Sequence, residues 1–366
     1  MSDNGFTRAL RDFGMARAII VLFLAYLLVQ AFFLDLPMNQ LFSSMLTRFG
    51  MNGILALAMI PTIQAGMGPN FALPLGIICG LVGGTVAIEA NLRGWAGFSC
   101  ALAVAVVLGA LTGWAYALLL NRIKGQEMTV GTYCGFSIVS LMCIFWTLMP
   151  YTNTEMIWAY GGTGLRNTIS LKGWFDKILD DLWSFEISGI APSAERAAEI
   201  AEPLQAAGIK VPTGTLLFFA LCCVLMHLFL RSKSGVAMTA AGSNPRFARS
   251  MGLSVDRYRT IASVVSNALA AAGMLVYAQS FGFLQLYQAP LFMAFFAVAS
   301  VLIGGASMKR ITIAHVLIGN FLFQSILVVS MPVANVVFSD SMSEILRIII
   351  SNGIILYALT RKEGSA

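Results

Sequence analysis

The chain alternates long apolar runs with short polar breaks. Ten runs are long enough to form membrane-crossing helices: residues 18–36, 49–66, 71–90, 95–120, 129–149, 213–230, 260–281, 289–306, 311–333 and 342–360. About 20 apolar residues cover the ~30 Å of bilayer hydrocarbon. The first run, 18–36, has no small-residue cleavage site and is read as a span rather than a cleaved signal. An even number of spans puts both termini on one side. With the N-terminus inside, fifteen basic and five acidic residues fall on the cytoplasmic side, against eight and twelve outside. Short cytoplasmic loops favour Lys and Arg, so the expected fold is an all-α membrane protein with ten transmembrane helices, N-in and C-in. Residues 1–366 are read as a single transmembrane domain.

Two hydrophilic interruptions stand out. Residues 151–212 form a large extracytoplasmic loop. Within it Leu171, Trp174, Phe175, Ile178, Leu179, Leu182 and Trp183 recur at helical spacing. They predict an amphipathic helix lying along the outer interface, with Trp174 and Trp183 at headgroup depth. Ser193, before Ala-Glu-Arg, reads as a helix N-cap. This acidic loop fits either reception of a partner protein or a spacer packed on the bundle. Residues 231–259 form the cytoplasmic interruption. Asn244-Pro245 is a helix start and Gly252 a helix stop, so a two-turn helix is expected between them. It carries Phe247 and Met251 beside Arg246 and Arg249, a composition suited to docking on another protein. Contact with anionic lipid, or simple enforcement of topology, accounts for the basic residues equally.

Helix breakers also fall inside the apolar runs. Pro61-Thr-Ile-Gln64-Ala-Gly66-Met-Gly68-Pro69-Asn70-Phe71 cannot be one regular helix. Phe281-Gly-Phe-Leu-Gln285-Leu-Tyr287-Gln288-Ala-Pro290 is a parallel feature in the second half. Each precedes a run ending in Gly-Gly, at Gly83-Gly84 and Gly304-Gly305. Paired interrupted segments point to a transport path between two halves. Gln64, Asn70, Phe71, Gln285 and Tyr287 are the candidate pathway residues for a polar, uncharged solute. The Gly-Gly pairs are read as close helix packing.

Composition narrows the classes. Hydrophobic residues make up 58% of the chain and charged ones 11%, against roughly 25% charged in soluble domains. That excludes an ordinary cytosolic enzyme and a nucleic-acid-binding module. There is no phosphate-binding Gly-x-x-x-x-Gly-Lys-Ser/Thr loop, no Ser/His/Asp or Cys/His constellation and no paired intramembrane carboxylates. No catalytic residue, metal site or cofactor is expected. The six cysteines lie in or beside apolar runs and read as small packers.

Phe229-Leu-Arg-Ser-Lys-Ser-Gly235, followed by Gly242, Asn244, Ala248 and Gly252 in one loop, resembles the permease subunits of bacterial ABC importers. The likeness is to the ribose/galactose type, grouped with the branched-chain amino acid permeases. Ser300–Gly305 and Asn121-Arg-Ile-Lys-Gly resemble other stretches of that family in the same order. The resemblance implies a subunit of the bacterial cytoplasmic membrane that pairs with a second permease, identical or related. It also implies a coupling helix at Gly242, Asn244, Pro245, Arg246, Phe247, Ala248, Arg249 and Gly252, seated on a separate ATP-binding subunit. An extracytoplasmic solute-binding protein would deliver a small polar solute such as a simple sugar or nucleoside. Ala65-Gly-Met-Gly-Pro-Asn70-Phe stands where sugar permeases usually carry Gly-Gly-Ile-Asp-Leu-Ser, and this leaves the solute open. The competing class is a stand-alone secondary carrier.

Overall fold

The computed structural model describes residues 15–157, 164–182, 185–187, 209–307, 310–337, 349 and 352–353. Apolar runs become helices and Gly, Pro and charge end them. In chain order these are α1 (Met15–Phe33), α2 (Met38–Leu57), α3 (Ile60–Gln64), α4 (Pro74–Glu89), α5 (Gly94–Arg122) and α6 (Glu127–Leu148). There follow α7 (Thr213–Arg231), α8 (Lys233–Ser243), α9 (Pro245–Ser250), α10 (Val255–Phe281), α11 (Ala289–Ile303) and α12 (Ile313–Val337). Among the described residues, six helices are long and apolar enough to cross a membrane: Met38–Gln64, α5, α6, α7, α10 and most of α12. Shorter apolar helices cover Arg17–Phe33, Pro74–Glu89 and Ala289–Ile303. The tenth expected span, 342–360, lies almost wholly outside the described residues, as do Ser193 and Trp183.

The second apolar helix begins at Met38, eleven residues before the expected start. Met38–Gln64 is 27 residues long, about 40 Å at helical rise. Arg48 therefore belongs to a helix and not to a loop.

The bundle is organised around α10. Small residues let backbones approach closely where lipid supplies no hydrophobic drive between helices. A Cβ added at Gly76 of α4 would lie 2.5 Å from the Asn267 carbonyl oxygen, and one at Gly80 2.6 Å from that of Ala271. On α5, a Cβ added at Gly109 or Gly113 would lie 2.8 Å from the Asn267 carbonyl oxygen or 2.7 Å from that of Ser263. The matched positions show α4 running parallel to α10 and α5 antiparallel. α2 is also antiparallel: Ser266 Oγ donates to Ala58 O at 2.7 Å, and Gly273 faces Ile54 and Leu55. Gly83 and Gly304 pack the same way, against Ala101 and His315, as the packing reading of the Gly-Gly pairs expects.

The two hydrophilic interruptions sit at opposite ends of α10. At its C-terminal end the structure departs from expectation. Residues 172–182 run in consecutive turns, not in an amphipathic helix. Gly173 and Lys177 have φ of 86° and 49°, left-handed values that interrupt any helix. The apolar side chains of Leu171, Trp174, Phe175 and Leu179 are buried in the main core rather than spread on an interface. Trp174 Nε1 donates to Glu155 Oε2 at 2.7 Å, and Arg93 lies 5.1 Å over its ring. Lys177 N donates to Gln279 O at 2.9 Å and Leu179 N to Gln279 Oε1 at 3.1 Å. The buried Asp180 carboxylate accepts from Thr215 Oγ1 and, at 3.0 Å, from Ser280 Oγ. Two strand pairs complete this cap. β1 (Thr168–Ser170) is antiparallel to β4 (Phe283–Gln285), with Ile169 opposite Leu284. β2 (Phe185–Ile187) is antiparallel to β3 (Ile209–Val211).

At the other end Arg259 Nη2 meets Glu127 Oε1 at 2.7 Å and Lys124 Nζ meets Asp256 Oδ1 at 2.8 Å. These pairs fasten α10 to the α5–α6 turn. Replacing Gly109 by Ala forces α5 away from α10 and is expected to cost about 1–3 kcal/mol, as overpacking does. A thermal-melt comparison in detergent checks this, with Leu111→Ala on the exposed face of the same helix expected to change little.

Candidate functional site

The loop from Arg231 to Arg259 folds as two helices, one more than expected. Ser232 starts α8, its side chain accepting from Gly235 N at 3.2 Å. Asn244 then caps α9 as the sequence predicts, Oδ1 accepting from Phe247 N at 3.1 Å. Pro245 occupies the first helical position. Gly252, at φ 77°, closes the helix, and Leu253 N returns to Ala248 O at 2.9 Å. Ala248 is the inward residue, buried with Ala241 and Val255. Arg246, Phe247, Arg249 and Met251 face outward, with Phe247 59% and Met251 67% exposed. A two-turn helix thus presents two apolar side chains flanked by two guanidinium groups.

This surface is fastened to the membrane part through α8. Met238 is fully buried in a cluster with Ala65, Met67, Ala72, Tyr116, Leu120 and Ala262. Gly242 lies directly on the break that follows α3. A Cβ on Gly242 would collide with Gln64 O and lie 2.7 Å from Gly66 N; one on Gly66 would lie 2.7 Å from Gly242 O. Gly66 itself has φ 75°. Gln64 completes the joint: Oε1 accepts from Thr239 Oγ1 at 3.0 Å, and Nε2 donates to Ile311 O at 3.2 Å. One side chain ties the broken helix to α8 and to the segment leading into α12.

Among the described cavities, none is lined by all five candidate pathway residues. Gln64 sits in the joint just described. Asn70 is buried and structural: Nδ2 donates to Ser266 Oγ at 2.9 Å, and Oδ1 accepts from Ala72 N at 3.1 Å. Phe71 packs near Phe295, with ring centroids 6.5 Å apart. Tyr287, at φ 56°, donates its hydroxyl to Leu165 O at 2.8 Å and pins the cap. Gln285 lines a cavity of about 140 Å³ between α2, α10, α11 and α12, facing Arg48, Asn52, Tyr277 and Gln324. The sequence singles out neither Arg48 nor Thr239, and it marks Gly66 only as a helix breaker. Arg48 was findable as a lone charge inside a helical stretch, had the span been started at Met38. The Thr239 and Gly66 contacts join segments about 175 residues apart and left no local trace.

The described helices form a bundle with six members long and apolar enough to cross a membrane, and a capped basic helix is seated on a broken span. Residues 41–357 match the family described as branched-chain amino acid transport system / permease component, and the chain belongs to that family. It is a permease of the ABC-transporter class, which works with an ATPase subunit in a membrane. No curated protein matches the chain.

Removing the Asn244 cap should loosen α9 by about 1 kcal/mol. In Asn244→Ala, hydrogen exchange at Phe247 and its neighbours is expected to rise, while amides in α10 keep their protection.

Proposed function

We propose that the chain is the membrane-spanning subunit of a binding-protein-dependent ABC importer. It spans a bacterial cytoplasmic membrane ten times with both termini inside, and pairs with a second permease. A solute-binding protein delivers a small polar solute to the cap that encloses the C-terminal end of α10. A separate ATP-binding subunit seats α9 in a groove, with Phe247 and Met251 inserted and Arg246 and Arg249 on acidic rims. ATP binding moves α9, and the Gly242–Gly66 contact passes the displacement to α3 and through Gln64 toward α12. Packed backbones transmit such shifts because neither side can yield locally. The helices then rock between outward- and inward-open arrangements.

The observation that carries this reading is the exposed apolar-basic face of α9, rigidly seated on a membrane break through two glycines. Two variants separate docking from transmission. Arg246→Glu with Arg249→Glu is expected to abolish co-purification of the ATP-binding subunit. Gly242→Ala is expected to retain co-purification and ATP hydrolysis while solute uptake falls at least about tenfold, a coupling of ~1.4 kcal/mol. Uptake that survives both, or that collapses with an ionophore, belongs to a secondary carrier.

A further inference from the structure

Arg48 lies inside a membrane-length helix and makes no ion pair with any described residue. The antiparallel register of α2 and α10 sets it about level with Phe281, at the capped end of the bundle. Its side chain is exposed and borders three adjoining cavities. The smallest, of about 140 Å³, is lined otherwise by neutral polar groups, Asn52, Tyr277, Gln285 and Gln324, and by apolar walls that include Phe292 and Phe296. A second, about 260 Å³, adds Lys177, Lys210 and Asp180. There Lys210 pairs with Asp181 at 3.0 Å, and the Asp180 carboxylate is engaged by Thr215 and Ser280. A third, about 920 Å³, opens past Ser44 and Met331. No described acidic side chain lines the first or the third cavity.

An ionisable residue facing a cavity in a membrane bundle is by default a functional group. Low-dielectric walls focus its field and concentrate the opposite charge. A guanidinium pairs with a carboxylate through two parallel hydrogen bonds. A zwitterion needs a second, acidic partner for its ammonium, and a neutral polyol gains nothing from the cation. We propose that this vestibule binds a small organic anion, a carboxylate on an uncharged, partly apolar body, and that Arg48 holds the carboxylate while Gln285 and Asn52 orient it. As a substrate assignment this rests on the importer reading above.

The test uses the full-length chain in nanodiscs of neutral phosphatidylcholine and three probes of one carbon skeleton: 4-methylpentanoate, 4-methylpentanamide and leucine. Saturation-transfer NMR titrations rank their binding. The carboxylate is expected to bind about tenfold tighter than the amide and the zwitterion, the scale of one charge-assisted pair. Arg48→Gln should erase that preference and Arg48→Lys should keep part of it. Equal binding of the three probes, or an undiminished preference in Arg48→Gln, overturns the proposal. So does displacement of the carboxylate by added phosphatidylglycerol in wild type but not in Arg48→Gln, which assigns the site to a lipid headgroup. Co-purification of the ATP-binding subunit is scored on the same samples. Its loss with an Arg48-dependent preference intact would sink the importer reading and leave the anion site standing; its retention without the preference would do the reverse.

Discussion

Backbone contact around α10 is the constraint on which the rest depends. In lipid, Leu against Leu gains little over Leu against an acyl chain, so helices hold together by close packing and by buried hydrogen bonds. Gly76, Gly80, Gly109 and Gly113 bring two helices within van der Waals reach of the carbonyls of Ser263, Asn267 and Ala271. Ser266 adds hydrogen bonds to α2 and to the Asn70 turn. The result is a strut enclosed on several sides, whose two ends carry the two polar assemblies. At one end Gln279 and Ser280 hold the 172–182 turns; at the other Arg259 and Asp256 hold the α5–α6 turn.

The same chemistry recurs at the joint between α8 and the α3 break, and there it gains direction. Gly242 and Gly66 meet without side chains between them, so a displacement on one side cannot be absorbed by rotamer changes. Met238 is buried on the same seam. The exposed face of α9 is thus joined to the α3 break through Gly242 and through the Thr239–Gln64 hydrogen bond. Gln64 and Asn70, the polar residues of the first break, make hydrogen bonds between segments, while the polar cavity lies at the opposite end of α10.

Much of this was legible in the sequence, and the rest was hidden for identifiable reasons. Apolar run length placed nine of the helices, because bilayer thickness sets a length that composition alone reveals. Asn244-Pro245 and Gly252 marked α9 to the residue, since capping is local chemistry. The turns at 172–182 deceived because the apolar residues of this stretch recur at helical spacing, and only the left-handed Gly173 and Lys177 distinguish them. Lys177 gives no sequence sign of that conformation. α8 was missed because Ser, Lys and Gly at its start resemble a loop. Arg48 fell just before the second apolar run, expected from residue 49, whereas the helix continues ten residues beyond it toward Met38. Contacts between distant segments, such as Thr239 with Gln64, leave no pattern in a single sequence.

The central claim is that α9 is the surface through which a separate ATPase drives this chain. The most direct measurement places a photoreactive phenylalanine analogue at Phe247 in the full-length chain, in native membranes, and identifies the cross-linked partner by mass spectrometry. The expected adduct joins residue 247 to an ATP-binding subunit, at a yield that changes when nucleotide is added. Adducts formed only with lipid or with this chain itself, with or without nucleotide, would contradict the claim.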